Sequence, residues 1–238
     1  RRARKGFSLR TTKIAYAGKT YDAQSVQEGQ AAYLAGDPWS PSNTPPESLE
    51  FLRSAPAIFP EATLPETPFT PAEFDRALSS MADGKVGGPD EVTHEMLKSL
   101  DEKNRLSIRT FINKCWLSGN FPEPWRNALV ADIYKGGNKP QTDPASYRPI
   151  SLLSAMYKLY ARLLQSRVAD AIDSKLRNRQ YGFRRNRSYA DPIHIVRRIQ
   201  ELYESTTSPL YLVFLDWKQA FDRLSREGLL SSLRRIGL

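Results

Sequence analysis

Tyr211-Leu212-Val213-Phe214-Leu215 is a continuous apolar run that starts just after Pro209 and ends directly on Asp216. It is too short for an ordinary helix and rich in strand formers, so it predicts a buried central strand. Such a strand needs neighbours for its backbone donors and acceptors, and the chain must supply a sheet or leave an aggregation-prone edge. The carboxylate that follows is pushed to the strand's exit, where it must be solvated, paired or bound to a cation.

Asp216 is therefore a candidate hard-metal ligand. Mg2+ suits such a position, since it is bound by one or two carboxylates together with substrate phosphates. The alternative is that Asp216 caps a turn and Asp222 caps the helix that follows.

Two arginine-bearing segments lie upstream. In Tyr147-Arg148-Pro149-Ile150-Ser151 a guanidinium is held between an aromatic and a rigid proline, which suits bidentate phosphate binding or an ordinary ion pair. Gln180-Tyr181-Gly182-Phe183-Arg184-Arg185-Asn186-Arg187 interleaves aromatics with three arginines around a glycine. Aromatic faces stack bases and Arg takes phosphates, so a strand-binding track is one reading. A solvated basic loop with Phe183 buried in the core is the other. Residues 135–200 carry 14 basic and 4 acidic side chains, a surplus of 14 − 4 = +10, while the whole chain carries 35 − 26 = +9. A polyanion site is therefore expected in this stretch.

The remaining segments follow from spacing and punctuation. Residues 1–36 begin with a basic run and show little period, which suggests a linker. Gly18-Lys19-Thr20 lacks the glycine that a phosphate-binding loop requires five residues ahead of its Gly-Lys pair. Nine of the 17 prolines fall between Asp37 and Pro71, so that stretch should wrap or link. Thr70-Pro71-Ala72-Glu73 reads as a capping box with a first-turn proline, followed by Phe74, Ala77, Leu78 and Met81 at helical spacing. Helices are expected over 93–100, 105–117 (with Phe111, Ile112, Trp116 and Leu117 buried), 152–172, from Asp191-Pro192 onward, and over 224–236 up to Gly237. Ala128–Tyr134 is a strand candidate, and Tyr147–Ser151 could pair with it as a finger. The fold class is α+β.

The one cysteine, Cys115, has no disulfide partner in the chain, and with His94 and His194 it makes no zinc-ligand spacing. No apolar run approaches the roughly 20 residues that span a bilayer. A reducing intracellular setting fits, with nucleus and cytoplasm both open. Position 1 is Arg and the last helix pattern has just closed at Leu238, so both ends read as cut from something longer.

Taken in order, these motifs resemble the reverse transcriptase domain of non-LTR retrotransposons, the long-interspersed-element type, from about Phe69 to Leu238. Lys85-Val86-Gly87-Gly88-Pro89-Asp90 looks like that family's Lys-x-x-Gly-x-Asp loop. Tyr147 to Leu153 resembles its finger motif, Gln180 to Arg184 its Gln-x-Gly-Phe motif, and Phe214 to Asp222 its first palm motif.

The resemblance implies a right-hand polymerase: residues 1–68 a basic then Pro-rich upstream linker or extension, 69–207 fingers, 208–238 the start of the palm. It implies RNA template, DNA primer and deoxynucleoside triphosphates as partners, no membrane, and two Mg2+ ions in the complete enzyme. Asp216 would be the first metal-binding, catalytic aspartate. Lys135, Arg148, Trp217 and Phe221 would meet the incoming nucleotide, with Phe221 excluding a ribose 2′-hydroxyl. Lys85, Gly88, Gln180, Gly182, Phe183, Arg184, Arg185 and Arg187 would lie along template and nucleic acid.

The family's paired aspartates should lie downstream, and no Tyr/Phe-x-Asp-Asp occurs in the chain. The expectation is a fragment truncated before the second half of the palm and the thumb, inactive alone. A relic that is at most a nucleic-acid-binding module is the alternative, and a group II intron type of enzyme fits the Lys85–Asp90 loop less well.

Overall fold

The computed structural model describes residues 13–36, 39, 50–51, 53–54, 56, 58, 64–206, 208–217 and 219–238. The first basic run and most of the Pro-rich stretch lie outside these. The elements are α+β: β1 Ile14–Tyr16, β2 Lys19–Tyr21, α1 Val26–Gly36, α2 Pro71–Ser80, α3 His94–Lys98, α4 Glu102–Ser118, β3 Leu129–Tyr134, β4 Tyr147–Leu152, α5 Ala155–Ile172, α6 Ala190–Thr206 and α7 Arg226–Ile236. No described helix is long and apolar enough to cross a membrane, and Cys115 is a buried free thiol. The chain divides into two compact units, one drawn from Arg1–Pro41 and Pro65–Ser166, the other from Ser42–Leu64 and Arg167–Leu238.

The first unit is built on a helical core. Thr70 and Glu73 form the expected capping box: the Thr70 N–H donates to Glu73 Oε2 at 2.8 Å and the Glu73 N–H to Thr70 Oγ1 at 3.2 Å. Pro71 occupies the first turn, where its missing donor costs nothing. This start aims Phe74, Ala77 and Leu78 at Leu97, Ile112, Cys115, Leu159 and Leu163, which are all buried with them. Phe69 enters the same core, its main chain bracketed by the Asn113 amide, which accepts from Phe69 N at 2.7 Å and donates to Phe69 O at 3.1 Å. Burying a ring of this size contributes about 2–3 kcal/mol. On α4 the buried stripe is Ile112 and Cys115, not the expected Phe111 and Leu117, which are exposed. The core lies on the side of the helix that meets α2 and α5, which periodicity alone does not select.

β3 and β4 pair antiparallel, from Leu129 opposite Leu152 to Tyr134 opposite Tyr147. This is the expected finger, and Pro149 is tolerated because a two-stranded ribbon is all edge.

The first 36 residues are not an irregular linker throughout. Ile14–Tyr16 and Lys19–Tyr21 make a hairpin whose two-residue turn has Ala17 at φ 51° and Gly18 at φ 75°, the left-handed pair that type I′ turns need. Lys19 and Thr20 are thus strand residues. Three-residue strands are too short for a period to be seen. Buried Ile14, Tyr33 and Leu34 hold the hairpin and α1 together, the Ala15 N–H donates to Thr142 O at 2.9 Å, and Gln30 Nε2 donates to Asp132 Oδ1 at 3.2 Å.

The second unit contains the end of α5, the 3-10 turn Asp173–Lys175, α6 and α7. Ser225 caps α7 by accepting from the Gly228 N–H at 3.1 Å, and Lys175 Nζ donates to the Ile236 carbonyl at 2.7 Å, a cation at the negative end of the helix. The expected buried strand at 211–215 is not formed. These residues pair with no strand among the described residues, and Tyr211, Val213, Phe214 and Leu215 are exposed. Apolar, β-favouring composition creates a strand only where a neighbouring ladder accepts it. Ile195, Ile199 and Leu202 do share a helix, α6, but likewise remain exposed.

Candidate nucleic-acid interface

The β3–β4 ribbon sets two cations on one face. Arg148 is directly opposite Ile133, and Lys135, two residues past Ile133, continues the ladder by donating its N–H to Ser146 O at 2.9 Å. Alternation along a strand then puts Lys135 and Arg148 on the same side as diagonal neighbours. That face is open: Arg148, Ile133 and Ile150 are exposed, while Asp132 and Tyr147 occupy the other. Lys135 Nζ donates to Ala145 O at 2.6 Å, which fixes the ammonium beside the strand ends.

The Lys85–Asp90 loop is fastened at both ends. The Gly84 N–H donates to Glu95 Oε1 at 2.6 Å, the Glu91 N–H to Gly88 O at 3.0 Å, and His94 Nδ1 lies 2.7 Å from Ala82 O. Gly88 is buried, so close to Leu153 and Ser154 that a side chain there would meet main chain. Lys85 is exposed beside it.

In the second unit the loop between α5 and α6 carries the Gln180–Arg187 motif. Arg184 is not presented to solvent. Its side chain is 6% exposed, with Nε 2.9 Å from Asp173 Oδ1, Nη2 2.9 Å from Asp173 O and 3.1 Å from Asp173 Oδ2, and Nη1 3.0 Å from Arg177 O. This guanidinium holds the Asp173 carboxyl below the usual carboxylate range, and the carboxylate raises Arg184 in turn. Arg185 Nη1 is 3.2 Å from Asp170, an exposed pair, and the Arg187 guanidinium lies 6.0 Å from the Tyr181 ring centre. Phe183 is 95% exposed with φ at 60°, so it is not a core residue. A bulky side chain in the left-handed region is costly and persists where the surroundings impose it.

Asp216, Trp217 and Phe221 are exposed. Gln219, at φ 53°, starts a turn closed by the Arg223 N–H donating to Gln219 O at 3.0 Å, with Phe221 inside it. The turn brings Phe221 edge-on to Phe183, ring centres 6.0 Å apart and planes at 87°. Residues 38 positions apart in sequence, one from each motif, thereby meet.

Among the described residues no three His, Cys, Asp or Glu side chains gather as a metal-binding group. Asp216 can offer a hard cation one carboxylate, but a pair of Mg2+ ions needs more oxygen ligands than that. The described residues do not fit a two-ion site by themselves.

Asp170 and Asp173 were not visible as functional from their own surroundings in sequence. The signal was scarcity, for only four acids occur in residues 135–200. Asp143 caps a turn by accepting from Ala145 N at 2.9 Å, Asp191 accepts from Ser188 N at 3.4 Å, and the other two engage the arginine loop.

Residues 135–238 match the family described as reverse transcriptase (RNA-dependent DNA polymerase). The chain is 33% identical over 180 residues to the "Probable RNA-directed DNA polymerase from transposon BS" of Drosophila melanogaster, covering 74% of this chain and 20% of that protein. It is 30% identical over 207 residues to the "RNA-directed DNA polymerase from mobile element jockey" of the same organism, covering 83% and 22%. A type-1 retrotransposable element protein, R1DM, is 27% identical over 165 residues, 69% of this chain and 16% of that protein. The chain spans about a fifth of the length of the first two relatives.

Proposed function

The chain carries part of a reverse transcriptase domain of the non-LTR retrotransposon kind, and on that premise we propose that it supplies the fingers and first palm motif of an RNA-directed DNA polymerase. In this reading residues 69–207 are fingers, 208–238 begin the palm, and 1–68 are an upstream extension. RNA template, DNA primer and deoxynucleoside triphosphates are its partners, inside the cell.

The chemistry is attack of the primer 3′-hydroxyl oxygen on the α-phosphorus, with pyrophosphate leaving. Divalent metal ions would supply charge neutralisation at the phosphates. This chain's own part is positioning. Lys135 and Arg148, on one open face of the ribbon, take the triphosphate, where a fork of N–H donors holds phosphate oxygens in fixed geometry. Trp217 would line the nucleotide with its backbone, and Asp216 would offer one carboxylate toward a divalent ion. Gln180, Gly182, Phe183, Arg185 and Arg187 run along the template strand, and Lys85 and Gly88 lie in a loop that meets nucleic acid.

The observation that carries this reading is the edge contact of Phe183 with Phe221, both rings solvent-exposed. An exposed aromatic pair is a stacking platform and a steric wall at once. Phe221 then bars the 2′-hydroxyl while Phe183 abuts the template base. Primer extension by a protein that contains this chain tests the assignment. Phe221→Ala is expected to raise ribonucleotide incorporation relative to deoxynucleotide, and an unchanged ratio would contradict it.

A further inference from the structure

The Arg184 guanidinium has five N–H donors, and four are used within the protein: three on the Asp173 side chain and carbonyl, one on the Arg177 carbonyl. The Arg177 carbonyl also accepts from the Gln180 N–H at 2.9 Å. A single side chain therefore ties the middle of the loop to the end of the α5 helix and to the loop's own beginning. On either side of this tie stand the residues that face outward: Phe183 at φ 60° with its ring in solvent, then Arg185, Asn186 at φ 58°, and Arg187 over Tyr181. Two left-handed residues around one buried arginine make a shape that a loop does not hold without a fastening.

Resting on the template-side reading of this loop, we propose that Asp173 and Arg184 are a positioning latch: they preset residues 180–187 to receive a nucleic-acid strand, and Arg184 itself does not contact phosphate. Asp173 is thereby a residue of the interface although it carries the wrong charge to touch a polyanion. The latch depends on the planar fork, because the two carboxylate oxygens are met by Nε and Nη2 together, a geometry that an ammonium cannot reproduce.

Salt dependence separates a latch from a phosphate contact. Each phosphate neutralised on a single strand adds about 0.7 to the slope of log affinity against log salt. The test measures binding of the whole 238-residue chain to a fluorescein-labelled single-stranded RNA across a salt series. Arg184→Gln, Arg184→Lys and Asp173→Asn are each expected to weaken binding about 10-fold at fixed salt, equivalent to about 1.4 kcal/mol, with the wild-type slope retained. The Arg184→Gln/Asp173→Asn double variant should be no weaker than either single one. Arg187→Gln, by contrast, should lower the slope by about 0.7. The latch is overturned if Asp173→Asn binds as well as or better than wild type, if Arg184→Lys binds like wild type, or if Arg184→Gln lowers the slope.

Amide hydrogen exchange on the free chain supplies a readout without RNA. Residues 180–187 should exchange faster in Asp173→Asn and Arg184→Lys while α4 in the first unit and α7 in the second keep wild-type protection, which shows that both units fold. If wild type binds no RNA, the template-side reading fails, and exchange alone judges the latch: unchanged protection of the loop would refute it.

Discussion

A Cβ placed on Gly88 would lie 2.4 Å from the carbonyl carbon of Leu153 and 2.7 Å from the Ser154 nitrogen. The obstacle is main chain at the exit of β4, which cannot swing aside as a side-chain tip could. Gly88→Ala should therefore cost about 1–3 kcal/mol, read as a lower denaturation midpoint. Gly84→Ala is a useful contrast. Among the described residues nothing lies within 4 Å there, but the backbone sits at φ 71°, so the cost is conformational, about 1 kcal/mol. Equal stability of Gly88→Ala and wild type would show that the loop does not rest on Leu153.

Asp132 lies half-buried, and loss of water pushes its carboxyl up while the hydrogen bond from Gln30 partly opposes this. A raised carboxyl contributes stability that is complete below its unfolded value near 3.9 and is lost as pH rises through the folded value. Ionised Asp132 is thus a cost at neutral pH. Gln30 Oε1 is buried and has no hydrogen-bond donor among the described residues. Asp132→Asn keeps an acceptor for Gln30 Nε2 and offers an amide donor to Oε1, so it should stabilise the chain at pH 7 by on the order of 1 kcal/mol. A thermal melt at neutral pH checks this, and a lower melting temperature would count against it.

Asp173 works in the opposite sense. Its carboxyl is lowered first by the hydrogen bond from Arg184, so its contribution is present above the ordinary carboxylate value near 3.9 and disappears as pH falls through the lowered one. Exchange protection of residues 180–187 should accordingly hold through neutral and mildly acidic pH and be lost only below that ordinary value. Loss of protection already near pH 6 would mean that another group governs the loop.

Phe183→Gly should separate stability from function. Glycine takes φ 60° without penalty, so the variant is expected to be as stable as wild type or more so by about 1 kcal/mol. It should bind single-stranded RNA more weakly, by roughly 1–3 kcal/mol if one base stacks on the ring. Undiminished binding would remove Phe183 from the interface.

The elements with strong local punctuation were legible from sequence. Thr70-Pro71-Ala72-Glu73 announces its helix because cap, proline and acid act within one turn, and β3 with β4 are revealed by strand formers bounded by turn residues. Among the candidate site residues, Arg148 stands out by its place between an aromatic and a proline, Lys135 follows only from the family resemblance, and the strand register puts the two on one face. Arg184 was different. Its sequence context, three arginines among aromatics, is that of a phosphate contact, whereas its partner Asp173 stands 11 residues away beyond the end of a helix that only the fold brings round. Tyr211–Leu215 marks the other limit, because composition states what a segment could join but not whether a ladder is present to join it.

On the proposed reading, Asp216 belongs to the metal-dependent centre of an RNA-directed DNA polymerase. RNA-templated primer extension, by a protein that contains this chain, with Mg2+ and deoxynucleoside triphosphates, tests it most directly. Wild type is expected to extend the primer and Asp216→Ala to fall to background, while RNA binding persists because the basic loop is untouched. Extension by Asp216→Ala at the wild-type rate would contradict it.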